Sequence, residues 1–335
     1  MRIALTDPIE PIGEAILRDA GHEILRMAGS GPDALRALCR DADAVIVRQK
    51  LPDDLPEHAR RLLAAVRHGV GVDMIPVEAC SRHGVLVANV PGANADAVAE
   101  FLLGQMLAIA RHVEAMHAEH LAQGWAPARR RADAATELRG KTLGILGVGA
   151  IGSRLAEIAA HGLRMRVLGH RRNPAGLPAH VAHAALPDLF AESDYIALAC
   201  PLTPETRGIV SAALLARMKP TAWLLNVARG PVVEEAALVE ALRARRIGGA
   251  ALDVYWEQPL PMTHPLRGLD NVLLTPHAAG LTRESVTEMS RIATEEVVRI
   301  LRGDRPVNFI NPEAWQAARE RRHRLGHPVE ERAAR

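Results

Sequence analysis

The sequence predicts an α/β protein of two domains, each with a parallel β-sheet covered by helices. The chain has 335 residues, which is longer than one ordinary compact domain. Short apolar segments such as 2–6 and 44–47 alternate with helical segments such as 11–21, and this alternation is typical of parallel sheets. A second alternating series begins at residue 142, after a long helical stretch over about 94–123. Two such series predict two sheets.

The same patterns predict the individual elements. The predicted strands are short runs of mainly apolar residues, at 2–6, 44–47, 85–88, 142–146, 165–169, 195–199, 222–226, 249–253 and 271–274. The basic segment after Gly124 is predicted to be irregular, and an amphipathic helix after about Ser285 is expected to return to the first domain. Residues 312–335 mix arginines with four glutamates, so we expect a frayed tail or a surface helix and not a nucleic-acid-binding arm.

The composition is that of a soluble globular protein, with 48% hydrophobic and 24% charged residues. The formal net charge of +2 does not indicate a nucleic-acid or membrane partner. The N-terminal segment MRIALTDPIE lacks a signal-peptide core, and three cysteines without a CxxC pair are typical of reduced thiols, so we expect a cytoplasmic protein. His112, His117 and His120 share a helix but lack zinc-site spacing, so we expect no metal.

Residues 143–152, LGILGVGAIG, place Gly147, Gly149 and Gly152 in the GxGxxG spacing. The spacing alone is a weak signal, but here an apolar strand precedes it and a helical segment follows it. The first glycine then permits a tight turn, the second lets the backbone approach a pyrophosphate, and the third allows close helix–sheet packing. The helix N terminus would present free N–H groups to the anion. The segment therefore predicts a Rossmann-type dinucleotide site.

The next predicted strand bears on the choice of cofactor. An NAD site usually carries an acid about 20 residues after the glycines, bonded to the ribose hydroxyl. This chain instead has MRVLGHRRNP, with His170, Arg171 and Arg172 and no carboxylate. Two guanidinium groups suit a 2′-phosphate, so we predict that NADP is preferred, with NAD as the alternative if the arginines are merely exposed.

Five further segments occur in order: RHGVGVDMIP (67–76), CPLTPETRGIV (200–210), LLNVARGPVVEEAALVEAL (224–242), GGAALDVYWEQPLP (248–261) and LLTPHAAG (273–280). With the glycine motif, they closely resemble the D-isomer-specific 2-hydroxyacid dehydrogenases over nearly the whole chain, to about Asn311. The resemblance implies two Rossmann-like or flavodoxin-like domains with parallel sheets. The substrate (catalytic) domain would be discontinuous, 1–98 plus 286–335, around a dinucleotide-binding domain at 99–285.

The resemblance also implies the activity, which is hydride transfer between NAD(P)H and C2 of a small 2-keto or D-2-hydroxy acid. Reduction of glyoxylate or hydroxypyruvate is the leading expectation. Two alternatives stay open: an NAD-linked dehydrogenase of a larger or phosphorylated D-2-hydroxy acid, as in phosphoglycerate dehydrogenases, and a cofactor-binding sensor without turnover. Members of the family are commonly homodimers joined in part by the helix near 94–123, and we expect a homodimer here.

Matching the family's motifs residue by residue implies the following roles. Arg229 would bind the substrate carboxylate and polarise the C2 carbonyl. His277 would be the general acid/base. Asp253 would fix the nicotinamide amide. The predicted substrate contacts also include Arg48, His68, Val70, Gly71 and Asn94. The remaining predicted cofactor contacts are Ala150, Ile151, Cys200, Pro201, Thr206, Val227, Ala228 and Gly280.

One position departs from the family pattern. The glutamate that pairs with the catalytic histidine is replaced by Gln258, although Glu257 stands next to it. A neutral amide can orient an imidazole but cannot raise its pKa as a carboxylate does. We favour a working Gln258–His277 pair that loses activity at alkaline pH. The open alternatives are a loop shifted by one residue, so that Glu257 supplies the acid, and a formate-type reaction without proton transfer.

Overall fold

The structure is a computed structural model that describes residues 1–327. The chain forms two compact units: residues 95–281 make one, and residues 1–94 combine with the segment from residue 282 onward to make the other. The predicted domain boundaries, at 98/99 and 285/286, differ from this division by four residues at each end. The reason is that one helix begins at Ala95 and another at Arg283, and each of these helices belongs entirely to one unit.

The discontinuous unit contains a five-stranded sheet. Its strands are β1 (Arg2–Leu5), β2 (Glu23–Arg26), β3 (Ala44–Val47), β4 (Ala64–Arg67) and β5 (Leu86–Ala88). They pair in parallel in the order β2-β1-β3-β4-β5. The sequence patterns missed β2, whose end residues are charged and exposed, and β4, whose Ala-Ala start has weak strand propensity.

The continuous unit contains a seven-stranded sheet. Its strands are β6 (Thr142–Leu146), β7 (Arg166–His170), β8 (Ala182–His183), β9 (Tyr195–Leu198), β10 (Trp223–Asn226), β11 (Gly249–Leu252) and β12 (Val272–Leu274). They are parallel, in the order β12-β11-β10-β9-β6-β7-β8, and only the exposed two-residue edge strand β8 was not predicted. The strand order reverses between β6 and β9, and ligands of such sheets bind at the carboxyl ends beside this switch point.

Alternate residues of each sheet point into separate hydrophobic clusters, which is why the strands read as nearly continuous apolar runs. In β9, Ile196 and Leu198 join one cluster while Tyr195 and Ala197 join another. The smaller sheet is covered on both faces in the same way. A parallel sheet buried on both faces is therefore present in each unit, as the sequence predicts.

The helices cover these sheets and connect their strands. They are α1 (Pro11–Asp19), α2 (Pro32–Cys39), α3 (Leu55–His58), α4 (Val77–Arg82), α5 (Ala95–Arg111), α6 (Val113–Gln123), α7 (Trp125–Arg130), α8 (Ala150–Glu157), α9 (Leu186–Glu192), α10 (Ala212–Leu215), α11 (Glu235–Arg243), α12 (Arg283–Arg302) and α13 (Trp315–Arg324). Within residues 1–327, none combines the length and the apolar character that a membrane span requires.

Two helical regions differ from the sequence prediction. The stretch 94–123 is two helices and not one, because His112 takes a left-handed backbone conformation (φ 54°) between α5 and α6. The segment after Gly124, predicted to be irregular, forms α7. For residues 312–335 the prediction was a frayed tail or a surface helix, and the structure has the helix α13, whose Arg321 is half-buried and donates to the carbonyls of Leu62 and His83. Residues 328–335 lie outside the described residues.

Candidate active site

The glycine turn between β6 and α8 has the steric requirements that its motif predicts. Gly147 has φ 100°, and a Cβ there would stand 2.5 Å from the backbone nitrogen of Cys200. A Cβ on Gly152 would stand 2.4 Å from the carbonyl oxygen of Gly147. Gly149 differs, because within residues 1–327 no atom beyond Gly149 and its two chain neighbours lies within 4 Å of the place where its Cβ would be. The first and third glycines thus allow the protein to pack, while the second leaves open space for a ligand.

The helix that follows the turn is suited to an anion. Gly149 precedes α8, and no side chain among the described residues caps this helix N terminus. The N–H groups of Ala150 and Ile151 belong to the first turn, where no intrahelical acceptor exists. The open space beside Gly149 and these donors together fit the pyrophosphate of a dinucleotide.

The end of β7 lies directly beside this turn. His170 pairs with Leu146 of β6, and its carbonyl oxygen accepts a 2.9 Å hydrogen bond from the nitrogen of Gly147. Its ring Nδ1 donates to the carbonyl oxygen of Ala184 at 3.0 Å. Next to it, Arg171 donates to the carbonyl oxygen of Gly176 at 2.7 Å. The position where an NAD site carries an acid is thus occupied by an imidazole with a guanidinium beside it.

The segment after β9 forms a second wall of this region. The backbone of Cys200 lies against Gly147, and burial raises the pKa of the Cys200 thiol to about 11. The hydroxyl of Thr206 donates to the carbonyl oxygen of Pro201 at 2.7 Å and closes the loop. Arg172 lies near this loop, since a hydrogen bond from Thr203 and the charge of Arg172 hold the pKa of Glu205 below its ordinary value.

Arg229 is carried by a turn at the end of β10. The fully buried Asn226 organises it, because its side chain accepts from the nitrogen of Ala228 at 3.0 Å and donates to the carbonyl oxygen of Arg229 at 3.1 Å. Val227 and Ala228 are the predicted cofactor contacts in this turn. The guanidinium of Arg229 is half-buried and donates to the carbonyl oxygen of Ala228 at 2.7 Å. No sequence motif indicated this role of Asn226.

Asp253 has a second role that the motif did not indicate. It is 1% exposed at the end of β11, and its carboxylate accepts hydrogen bonds from the hydroxyl of Thr275 and the backbone nitrogens of Ala278 and Ala279 at 2.7–2.9 Å. Its carbonyl oxygen accepts from the nitrogen of His277 at 2.8 Å. Asp253 therefore holds the turn that carries His277, and Gly280 lies just after that turn.

His277 and Gln258 form a hydrogen-bonded pair. Nδ1 of His277 lies 3.1 Å from Oε1 of Gln258. Because an amide oxygen only accepts, Nδ1 carries the proton in this hydrogen bond. Glu257 is exposed, so the loop is not shifted in the way that would bring its carboxylate to the imidazole. His277 adopts a left-handed backbone conformation with φ 54°, which the bonds to Asp253 stabilise.

A cavity of about 540 Å³ lies beside this pair. Its lining residues are Tyr255, Gln258, Pro259, Leu260, Arg267, Leu274, Thr275, Pro276 and His277. The hydroxyl of Tyr255 donates to the carbonyl oxygen of Thr275 at 2.7 Å, and Arg267 donates to the carbonyl oxygens of Leu260 and Pro261 at 3.0 Å. These bonds fix the loop that presents Gln258.

The other predicted substrate contacts belong to the discontinuous unit. His68 is buried, and its Nε2 lies 2.8 Å from the hydroxyl of Ser290. Burial, and to a lesser extent the charge of Arg48, lower the pKa of His68 to about 4, so the ring is neutral at pH 7. Arg48 donates to the carbonyl oxygen of Pro8. The buried amide oxygen of Asn94 has no hydrogen-bond partner among residues 1–327.

Val70 and Gly71 lie in the loop that follows β4. Val70 is 37% exposed, while the preceding Gly69 has φ 143°, a conformation that favours glycine. The loop is therefore accessible to a ligand and is fixed in shape by at least one glycine. Arg48, His68, Val70, Gly71 and Asn94 thus belong to one unit, and Arg229, Gln258 and His277 to the other.

Comparison with known proteins identifies the family. A model of the D-isomer-specific 2-hydroxyacid dehydrogenase NAD-binding domain matches residues 103–279. A glyoxylate reductase of Aeropyrum pernix is 40% identical over 295 residues, which cover 84% of this chain and 86% of that protein. A D-3-phosphoglycerate dehydrogenase of Methanocaldococcus jannaschii is 37% identical over 320 residues, and the match covers 93% of this chain but 59% of that longer protein.

A solved structure gives the same result. The NADPH-dependent glyoxylate/hydroxypyruvate reductase of Sinorhizobium meliloti, crystallised with NADP and malonate, is 27% identical, with a TM-score of 0.81 and coverage of 99% of both chains. The present chain belongs to the D-isomer-specific 2-hydroxyacid dehydrogenases, and it is an NAD(P)-dependent oxidoreductase that transfers a hydride between its cofactor and C2 of a 2-keto or D-2-hydroxy acid.

Proposed function

We propose that this enzyme reduces small 2-keto acids of the glyoxylate and hydroxypyruvate type, with NADPH as its preferred cofactor. The observation that carries the proposal is the 3.1 Å pair of His277 and Gln258, held at the carboxyl end of the sheet that contains the glycine turn. The relatives named above that match most of both chains are glyoxylate or glyoxylate/hydroxypyruvate reductases, which supports the small substrate.

In this proposal His277 supplies the proton of the reaction. When bound, a nicotinamide would supply the hydride that C2 of the keto acid receives. Nε2 of the protonated His277 donates its proton to the carbonyl oxygen, while Gln258 keeps Nδ1–H oriented. The guanidinium of Arg229 binds the substrate carboxylate and donates to the carbonyl oxygen, which stabilises the negative charge that develops there.

The loop after β4 would bind the substrate carboxylate through its backbone amides, with Val70 and Gly71 as contacts. Arg48, His68 and Asn94 would contact the substrate from the same unit. Since His68 is neutral at pH 7, it would contribute a hydrogen bond or a van der Waals contact to substrate binding and not a positive charge. The unsatisfied amide oxygen of Asn94 supports a polar ligand there, because buried polar atoms rarely lack a partner.

The cofactor would lie along the carboxyl end of the seven-stranded sheet. Gly147, Gly149 and Gly152 form the pyrophosphate cradle, and Asp253 would bind the nicotinamide amide in addition to holding the turn of His277. His170, Arg171 and Arg172 would surround the adenosine ribose. The other proposed contacts are Ala150, Ile151, Cys200, Pro201, Thr206, Val227, Ala228, Arg229, His277 and Gly280. The absence of an acid at His170 supports NADP.

The enzyme is also proposed to be a homodimer in the cytoplasm. No residue of α6 is buried, and Val113, Leu121 and Trp125 are large apolar side chains exposed by more than half on and beside it. Such a helix face favours burial against a second subunit. The three unpaired cysteines agree with a reducing compartment.

Steady-state kinetics test the proposal. We expect measurable kcat/KM on glyoxylate and hydroxypyruvate, and at least a tenfold advantage, about 1.4 kcal/mol, of NADPH over NADH. Arg172→Ser should reduce that advantage, whereas Arg129→Ser, a matched change of an exposed arginine on α7, should not. An advantage for NADH, or a preference for long or phosphorylated keto acids, would contradict the proposal. Tight NADPH binding without turnover would instead indicate a sensor.

A further inference from the structure

The loop after β4 is held in its unit by hydrogen bonds to its backbone carbonyl groups. Four consecutive carbonyl groups, those of residues 68–71, are all held by donors from the same unit. The bonds run from Arg67 Nη1 to His68 O (3.0 Å), from Val90 N to Gly69 O (2.9 Å), from Asn89 Nδ2 to Val70 O (2.7 Å) and from Arg67 Nε to Gly71 O (3.1 Å). Three of the four donors are side-chain groups.

These carbonyl bonds determine where the amides of the loop point. In a trans peptide the C=O and the following N–H point in opposite directions, so holding four carbonyls directs the N–H groups of residues 69–72 away from the donors. Within residues 1–327 none of these four N–H groups has a hydrogen-bond acceptor. A run of unpaired amides on an accessible loop is a receptor for an anion.

The two side chains that hold the carbonyls are themselves well placed. Arg67 is the last residue of β4, and Asn89 directly follows β5, the neighbouring strand. Asn89 is 8% exposed. Arg67 also donates to the carbonyl oxygen of Val47 at 2.7 Å, so its guanidinium joins the end of β3 to the loop. Its positive charge lies behind the amides and adds to their attraction for an anion.

We infer that Arg67 and Asn89 are positioning residues that aim the amides of residues 69–72 at the carboxylate of the substrate. This inference rests on the proposed function, which assigns the carboxylate to this loop. Neither side chain needs to touch the substrate. Each acts through the loop, so its loss should weaken carboxylate binding equally before and during the reaction, which raises KM and leaves kcat nearly unchanged.

The test uses Asn89→Ala, with Asn311→Ala as the matched control. Asn311 is also buried in this unit, but its amide bonds to Ser81, Val85 and Val87 and not to the loop. Three quantities are measured with saturating NADPH: KM and kcat for glyoxylate, and the dissociation constant of oxalate, a non-reacting carboxylate, by calorimetry. Asn89→Ala should raise KM and the oxalate constant together, by roughly 3- to 10-fold, while kcat and NADPH affinity change by less than twofold.

The outcomes separate the two claims. If the wild type reduces glyoxylate but Asn89→Ala alters neither KM nor the oxalate constant, or alters them no more than Asn311→Ala does, the inference is wrong and the proposed function stands. If the wild type fails to reduce glyoxylate while Asn89→Ala still weakens oxalate, the inference stands and the proposed function is wrong. Should Asn89→Ala fail to fold, Arg67→Lys provides the same test, since it keeps the charge but loses the planar set of donors. Unchanged constants in Arg67→Lys would overturn the inference.

Discussion

The two glycine loops of the molecule, residues 147–152 and 69–71, both follow parallel strands but present their amides by different means. The first uses the backbone alone, because its glycines remove clashes and the start of α8 supplies the N–H groups. The second does not lead directly into a helix, since α4 begins only at Val77. Side chains of Arg67 and Asn89 hold its carbonyls instead. Backbone amides can therefore be directed at an anion in two ways. Either they belong to the first turn of a helix, or side chains hydrogen-bond to the carbonyl groups of their loop.

The two ways of presenting amides also place different limits on mutation. A backbone-built cradle depends on the absence of side chains, so adding one methyl group should damage it. A loop held by side chains depends on donors located elsewhere in the sequence. The two histidines proposed for the active site also differ in their surroundings. His277 is accessible and hydrogen-bonded to an amide, while His68 is buried and neutral at pH 7.

The largest effect is expected in the glycine cradle. Gly149→Ala should weaken NADPH binding at least tenfold, about 1.4 kcal/mol, because its Cβ would occupy the open space left for the pyrophosphate. Its Tm should not change, since that Cβ would meet no atom of the described residues within 4 Å apart from its own chain neighbours. Gly147→Ala, the matched variant, should lose both affinity and stability, the latter by about 1–3 kcal/mol. Calorimetry and thermal unfolding distinguish them, and equal loss of Tm in both variants would contradict this account of the cradle.

An intermediate effect is expected at the accessible histidine. Reduction needs protonated His277, so activity falls as pH rises through its pKa. Gln258→Glu would place a carboxylate on the imidazolium and should move the alkaline limb of the kcat/KM profile upward by about one pH unit or more. Glu257→Gln is the control and should leave the profile unchanged. If the kcat/KM profile changed in Glu257→Gln but not in Gln258→Glu, Glu257 would be the functional acid.

The smallest effect is expected at the buried histidine. Because burial lowers the pKa of His68 to about 4, the unfolded chain binds a proton there between about pH 6.5 and 4 that the folded chain does not. The free energy of unfolding should therefore decrease as pH falls through this window, with a slope of at most about 1.4 kcal/mol per pH unit from this group.

His68→Gln should flatten this dependence, and His117→Gln, a change on the exposed face of α6, should not. Urea unfolding at several pH values measures both. Parallel slopes in the wild type and His68→Gln would show that His68 is not neutral in the folded state.

The contrast between the loops also explains what the sequence could predict. Gly147, Gly149 and Gly152 lie within six residues of each other, so their local spacing predicted both the turn, which the structure has, and the dinucleotide ligand proposed for it. Most strands were predictable because both faces of each sheet are buried. Arg67, Asn89 and Asn226 could not be identified in this way, since each acts through a backbone carbonyl or nitrogen whose position only the folded chain defines. The break at His112 was missed because a left-handed residue leaves no pattern in the helical periodicity.

The most direct test of the central claim is the kcat of glyoxylate reduction with NADPH in His277→Asn. General acid catalysis by His277 predicts a loss of roughly 10²–10⁴-fold in kcat. A variant that kept kcat within about tenfold of the wild type, well below that range, would contradict the claim that His277 donates the proton.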